Sequence, residues 1–223
     1  EAALNGFIDK IMPHWMQISN QLNEKVSHSE FLDQLDKEKF KIYTRDLKNS
    51  LELFRQENIH IITEVDKLSN EYGKISGAMT VNHDEQTLTL QQAQKLLQSS
   101  DRTLRQEIFE KIQNRRFQDK KKLEDLFDQL LKLRHQIALN AGFDNFRDYM
   151  MKSLGRFDYG VKECEDFHEA IAKVIVPIMK KINQDRSDIL QINPLKPYDM
   201  NVPVYGTAPL QPFESADELL QKS

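Results

Sequence analysis

Glycine and proline are the first absences: the 223 residues contain seven of each, about half the share found in ordinary globular chains. Few positions can break a helix, which excludes a collagen, a disordered tail and a β-sandwich. Cysteine is nearly absent too. The single Cys164 excludes a disulfide framework and a multi-cysteine zinc site, and it fits a reducing compartment. No apolar run approaches the ~20 residues that cross a bilayer, so a transmembrane protein is excluded. Neither sign of charge dominates: 31 Lys and Arg against 35 Asp and Glu leave a net charge of −4, which gives no reason to expect a nucleic-acid partner. What the chain does have is charge in quantity, 30% of residues against about 25% usually, on a length sufficient for a sizeable core.

The prolines are also unevenly placed. Six of the seven stand at or after Pro177, the other is Pro13, and the stretch from His14 to Val176 contains none, so long helices are permitted throughout it. From Glu1 to about Val26 the residues Leu4, Phe7, Ile8, Ile11, Trp15, Ile18 and Leu22 recur at intervals of three and four, one face of a helix. Ser27 or Ser29 is expected to cap a second helix carrying Phe31, Leu32, Leu35, Phe40, Leu47, Leu51 and Phe54. A third is expected from about Thr63 to Ser76. The period then changes to two: Met79 to His83 and Gln86 to Leu90 alternate around Asp84-Glu85, which predicts a short hairpin packed on helices. A short helix follows from about Gln91 to Gln98. The longest helical stretch then runs from Ser100-Asp101 to about Ala141, exposed or interrupted between Gln113 and Lys122, with Gly142 as its C-cap glycine. Helices are expected again from Asp144 to about Ser153 and from about Gly160 to Leu190, the latter kinked at Pro177.

From Gln191 to Phe213 there is no helical period, but five prolines alternate with Leu195, Tyr198, Met200, Val202, Val204, Tyr205 and Leu210. A flexible linker would be polar and Gly/Ser-rich; this segment reads as an ordered, extended connector packed on something. Ser215 followed by Glu218 is a capping box that announces one more helix. A helix begun so near the last residue, and a first residue that is not Met, are expected marks of a chain cut at both ends. The pattern predicts a mainly α fold: a multi-helix bundle with long helices, one short β-hairpin near 79–90 and an extended Pro-rich connector. The expected division is a helical region, 1–190, and a connector, 191–223.

The residues that carry chemistry do not converge. A zincin helix needs His-Glu-x-x-His, with ligands at i and i+4 on one face and the Glu as general base. His168-Glu169-Ala170-Ile171-Ala172 has alanine where the second ligand belongs and reads as a chance match on a solvated face. The six histidines, His14, His28, His60, His83, His135 and His168, include no pair at i,i+3 or i,i+4, and each reads as a surface or satisfied interior residue. His83-Asp84-Glu85 at the hairpin tip could collect an ion, although hairpin turns favour such residues anyway. Arg115-Arg116 and Lys120-Lys121-Lys122 stand beside Asp119, Glu124, Asp125 and Asp128, the pattern of i,i+4 pairs on a solvated helix rather than a nucleic-acid patch. Cys164 lies among Glu163, Glu165 and Asp166, whose charges oppose a nucleophilic thiolate. No phosphate loop, dinucleotide fingerprint or Gly-x-Ser-x-Gly is present.

Several stretches nevertheless resemble oligoendopeptidase F, of the thimet-type zinc oligopeptidases. They are Glu52-Leu53-Phe54-Arg55-Gln56-Glu57-Asn58-Ile59, Leu68-Ser69-Asn70-Glu71-Tyr72, Gly77-Ala78-Met79-Thr80-Val81 and Asp101-Arg102-Thr103-Leu104-Arg105-Gln106-Glu107. Ala138 to Phe146 and the connector segments Leu195 to Met200 and Pro209 to Phe213 continue the likeness, which runs from about Phe31 to Ser223. The resemblance implies a parent enzyme that hydrolyses peptide bonds with zinc held by a His-Glu-x-x-His helix and a downstream Glu. That helix would lie beyond the end of this chain, so no catalytic or metal residue carries over, substrate-binding residues are unassigned, and no zinc is expected here. What carries over is a helical N-terminal part forming one wall of a channel for oligopeptides. The expected partners are an oligopeptide substrate and the missing C-terminal catalytic region, with self-association through the exposed cut face; no nucleic acid or membrane is expected, and the compartment is cytoplasmic. The alternative is a stand-alone helical interaction or scaffold module without catalytic activity.

Overall fold

The computed structural model describes residues 2–204 and 212–222 and is built almost wholly of helices. In chain order these are α1 (Ala2–Gly6), α2 (Met12–Ser27), α3 (Lys41–Leu53), α4 (Asn58–Gly77), α5 (Leu90–Lys95), α6 (Arg102–Gln118), α7 (Lys120–Asn140), α8 (Phe146–Ser153), α9 (Val161–Ala170), α10 (Val176–Leu190) and α11 (Ala216–Lys222). Strands β1 (Thr80–His83) and β2 (Gln86–Thr89) pair antiparallel, Thr80 opposite Thr89 and His83 opposite Gln86. Asp84 and Glu85 make the two-residue turn at φ 47° and 61°, the left-handed conformation that a tight hairpin requires. The mainly α reading and the hairpin both stand. Tyr205, Gly206, Pro209 and Leu210 of the connector lie outside the described residues.

The chain forms two compact units. The first comprises Glu1–Gly77 with Asp119–Phe167, the second Ala78–Gln118 with His168–Ser223. In the first, α4 lies along α7 and buries Ile59, Ile61 and Ile75 in company with Leu126, Leu130, Ile137 and Ala138. Polar groups lock this pair. Arg55 Nε donates to Asn140 O at 3.0 Å and its Nη1 to Glu52 O and Phe54 O at 2.8 and 2.7 Å, so one cation serves the carbonyl ends of both α3 and α7, where helix dipoles favour positive charge. Buried Asn58 donates to Ile137 O at 3.0 Å and accepts from Asn140 at 2.7 Å. Gly142, at φ 88°, then turns the chain: its N–H bonds Leu139 O and that of Phe143 bonds Ala138 O, a complete Schellman cap.

In the second unit α6 is the spine, contacted by β1, α5 and the 3-10 turns Leu96–Gln98 and Pro197–Asp199. Ile108 and Ile112 are its fully buried apolar residues, beside Met79, Val81, Leu90, Ala93, Leu97, Tyr198 and Val202. The connector is ordered and packed as far as it is described.

Two local expectations are corrected, and a third is met. No helix runs from Ser27 or Ser29 through Phe31: Ser29 Oγ accepts from Phe31 N, and Asp36 Oδ1 from the N–H groups of Glu38 and Lys39. These bonds satisfy the backbone locally and compete with helix formation, so α3 begins only at Lys41. Helix α4 starts at Asn58, not Thr63, because the turn at Arg55–Asn58 is fixed by the bonds just described. The long stretch after Ser100 is interrupted at Asp119, whose φ and ψ of −97° and 5° leave the helical range, and Phe117 beside the break is 72% exposed. At Pro13 and Pro177 the helices absorb the missing N–H with π turns, Phe7–Ile11 and Ile171–Ile175, that end just before each proline.

The first helix is oriented against the ordinary rule that the most apolar stripe faces the core. Of that stripe only Ile8 is buried; Leu4, Phe7, Ile11, Trp15, Ile18 and Leu22 are all at least half exposed. The helix turns a mixed face, including Met12, Met16, Asn20 and Asn23, away from solvent instead.

Replacing Ile108 by alanine should lower the unfolding free energy by about 3 kcal/mol in urea titrations, since the side chain is fully buried. The exposed Phe117→Ala is expected to stay within about 0.5 kcal/mol of the wild type in the same titration.

Candidate functional site

The residues that sequence reasoning singled out remain scattered. His168 and Glu169 sit exposed on α9, Glu169 bonds Lys173 at 2.9 Å, and Ala172 falls in the π turn that follows. His83 lies 3.3 Å from an Asp84 carboxylate oxygen and 3.6 Å from one of Glu107. Glu107 is in turn bonded by Lys111, which holds its carboxyl below the usual range. Lys120 and Lys121 pair with Glu124 and Asp125, the solvated i,i+4 pattern expected of them, whereas Lys122 reaches Glu71 on α4. Cys164 is a half-buried free thiol. Among the described residues no group of three or more His, Cys, Asp and Glu side chains could hold a metal ion, so these residues do not fit a zinc ion. No helix among them is long and apolar enough to cross a membrane.

The most constructed polar site was not visible as a motif. Asp199, in the Pro197–Asp199 turn, is completely buried. Its Oδ1 accepts from Arg105 Nη2 at 2.9 Å and Arg102 Nε at 3.1 Å, its Oδ2 from Arg102 Nη2 at 3.0 Å and the Lys196 N–H at 2.9 Å. Arg105, 1% exposed, spends its remaining donors on the carbonyls of Tyr198, Ser99 and Ser100. Arg186 Nη1 adds bonds to Asp199 O and Val202 O. The Tyr198 ring lies beneath the Arg102 guanidinium at 5.3 Å and against Phe109 at 5.7 Å. Burial by itself would push the Asp199 carboxyl up; hydrogen bonds from Arg102, Lys196 N–H and Arg105, with the charge of Arg102, outweigh it and hold the group at about 2 instead of 3.8. With every lone pair occupied, the site has no room for substrate. Its chemistry is that of a staple: it fixes the connector to the first two turns of α6.

A cleft of about 480 Å³ opens in the first unit, lined by Pro13, Ile59, His60, Glu64, Lys67 and Leu133 among others. Its charges answer one another, since Lys67 pairs with Asp9 and lies 3.9 Å from Glu64. Nothing in it is arranged for catalysis.

Against known proteins, the model of Peptidase family M3 matches residues 95–211, just over half of the chain. The solved structure described as an oligoendopeptidase F of Bacillus anthracis str. Ames superposes with a TM-score of 0.89 at 21% identity, covering 97% of this chain and 40% of that one. A second oligoendopeptidase F structure gives 0.90 at 24%, covering 97% and 38%. PZ peptidase A, solved with an inhibitor, gives 0.82 at 27%, covering 87% and 35%. The chain thus spans about two fifths or less of the length of these structures. No curated protein matches it.

Asp199 supplies a pH test. A carboxyl held at about 2 in the folded state and near 3.8 when unfolded stabilises the fold fully above about pH 5, and that contribution is lost as pH falls from about 4 towards 2. At pH 7 Asp199→Asn should cost about 3 kcal/mol, because the buried Arg105 loses its counter-charge. In urea titrations at successive pH values, the gap between variant and wild type should narrow below pH 4.

Proposed function

The chain belongs to peptidase family M3, and on that premise we propose that it is the helical N-terminal part of a zinc-dependent oligoendopeptidase. It forms one wall of the channel that admits short peptides and is inactive by itself. The observation that carries this reading is the family match over residues 95–211, within a chain whose helical fold superposes almost entirely on two fifths of longer oligoendopeptidase structures.

The division of labour follows from the residues. Zinc would supply a polarised carbonyl and an activated water, and its ligands would belong to the remaining polypeptide, because the described residues offer no donor set. The wall's part is positional. A rigid helical surface restricts the channel to unfolded, narrow substrates, and rigidity is what the Asp199 staple and the Arg55–Asn58 joint provide. Residues 1–190 would form the wall and 191–223 would lead on towards the catalytic region, in a cytoplasmic enzyme.

The 223-residue chain is expected to leave an internally quenched fluorogenic peptide uncut and to retain no stoichiometric zinc by metal analysis. The longer polypeptide encoded by its gene should cleave the same peptide and lose that activity to a chelator. Chelator-sensitive cleavage by the 223-residue chain, at constant specific activity through purification, would overturn the proposal.

A further inference from the structure

Helices α1 and α2 show three faces where a surface helix normally shows two. The inner face carries Ile8, Met12, Met16, Asn20 and Asn23. Lys10, His14, Gln21 and Glu24 make an exposed polar face of the usual kind. Between them runs the exposed stripe Leu4, Phe7, Ile11, Trp15, Ile18 and Leu22, from 50 to 65% accessible. Its intervals are three, four, four, three and four. The two consecutive fours fall where the π turn Phe7–Ile11 widens the helix, so the register is kept through the irregular turn. The stripe extends over about 27 Å, five turns at 1.5 Å per residue, and its even 3.6 period suits a packed helix.

We propose that this stripe is the seat of an amphipathic helix of about the same length, supplied by the part of the same polypeptide that this chain does not include; the inference rests on the family reading above. Six residues half exposed offer roughly 600 Å² of apolar surface, as large as the largest patch on a typical monomer. The cost of association chooses that occupant over a second copy, which would have to offset the loss of translational and rotational freedom, at least about 4 kcal/mol, whereas a helix tethered in the same chain acts at an effective concentration in the millimolar range. The length is available: three fifths of the superposing oligoendopeptidase chains has no counterpart here.

The test places a photo-crosslinking phenylalanine analogue at Trp15, and separately at the polar-face residue Gln21, in the polypeptide as its gene encodes it. Irradiation should join position 15 to a segment outside residues 1–223 of the same molecule, with at least tenfold lower yield from position 21. A crosslinked dimer, a product within residues 1–223, equal yields or no product would each overturn the proposal. Peptide cleavage is measured on the same samples. Its absence with an intact position-15 product would remove the enzymatic reading and leave the docking standing; cleavage without that product would do the reverse. Ile18→Glu is a second variant: it should raise the binding of a hydrophobic dye at least threefold in the gene product, by releasing the seated helix, and an unchanged signal would count against the proposal.

Discussion

A carboxylate with no contact to water sets the constraint on which the second unit depends. Asp199 is buried completely and is tolerable there only because two guanidinium groups and a backbone N–H surround it. The arrangement cannot be half made. Arg105 without Asp199 would be an uncompensated buried cation, and Asp199 without Arg105 an anion short of donors. The connector has no helical period, and its described residues up to Val204 have no strand partner, so Asp199 decides where they lie. Tyr198 and Val202 follow the carboxylate into the core, and Arg186 reaches the carbonyls of Asp199 and Val202. The described part of the connector is held to α6 by that charge.

Legibility in the sequence tracks the range of the interaction. Elements decided within a few residues were readable: the hairpin from its alternation, the turn of Gly142, and Ser215 with Glu218, where the Glu218 N–H does bond Ser215 Oγ at 3.1 Å and the reciprocal bond lands on Glu214 N–H. The segment from Ser27 to Phe40 failed because periodicity counts apolar residues and is blind to Ser29 and Asp36 drawing backbone N–H groups out of helical geometry. The staple failed for the opposite reason. Arg105 and Asp199 are 94 residues apart in sequence, and no local pattern announces such a pair. The orientation of α2 was equally hidden. Period reveals that a face exists, but which face is covered depends on what else is present to cover it.

That last point bears on what kind of body this is. A chain that folds to bury its own apolar surface leaves single hydrophobic residues outside, not ordered stripes. Here the described residues leave one stripe along α1 and α2. In the other unit, Val174, Ile175, Val176, Ile178, Met179 and Ile182 are exposed along the π turn and α10. Both runs are helical and continue through a π turn, so backbone hydrogen bonds hold them without the missing contacts. The helices are formed by their own hydrogen bonds and the absence of internal breakers, and their outer surfaces are left with work that these residues do not perform.

The stretches by which the chain resembles oligoendopeptidase F are not arbitrary. Arg55 and Asn58 stand in one, Arg102 and Arg105 in another, Asn140 in a third and Asp199 in a fourth. Three of these side chains, Arg55, Asn58 and Arg105, end on a backbone carbonyl of a remote segment. A side chain bonded to backbone specifies where a chain lies whatever residue occupies that position. Few substitutions reproduce a guanidinium reaching two helix ends, or an amide that donates to one carbonyl and accepts from its neighbour. The helices superpose on the oligoendopeptidase structures at 21 to 27% identity, and polar bonds of this kind account for where the segments of this chain lie.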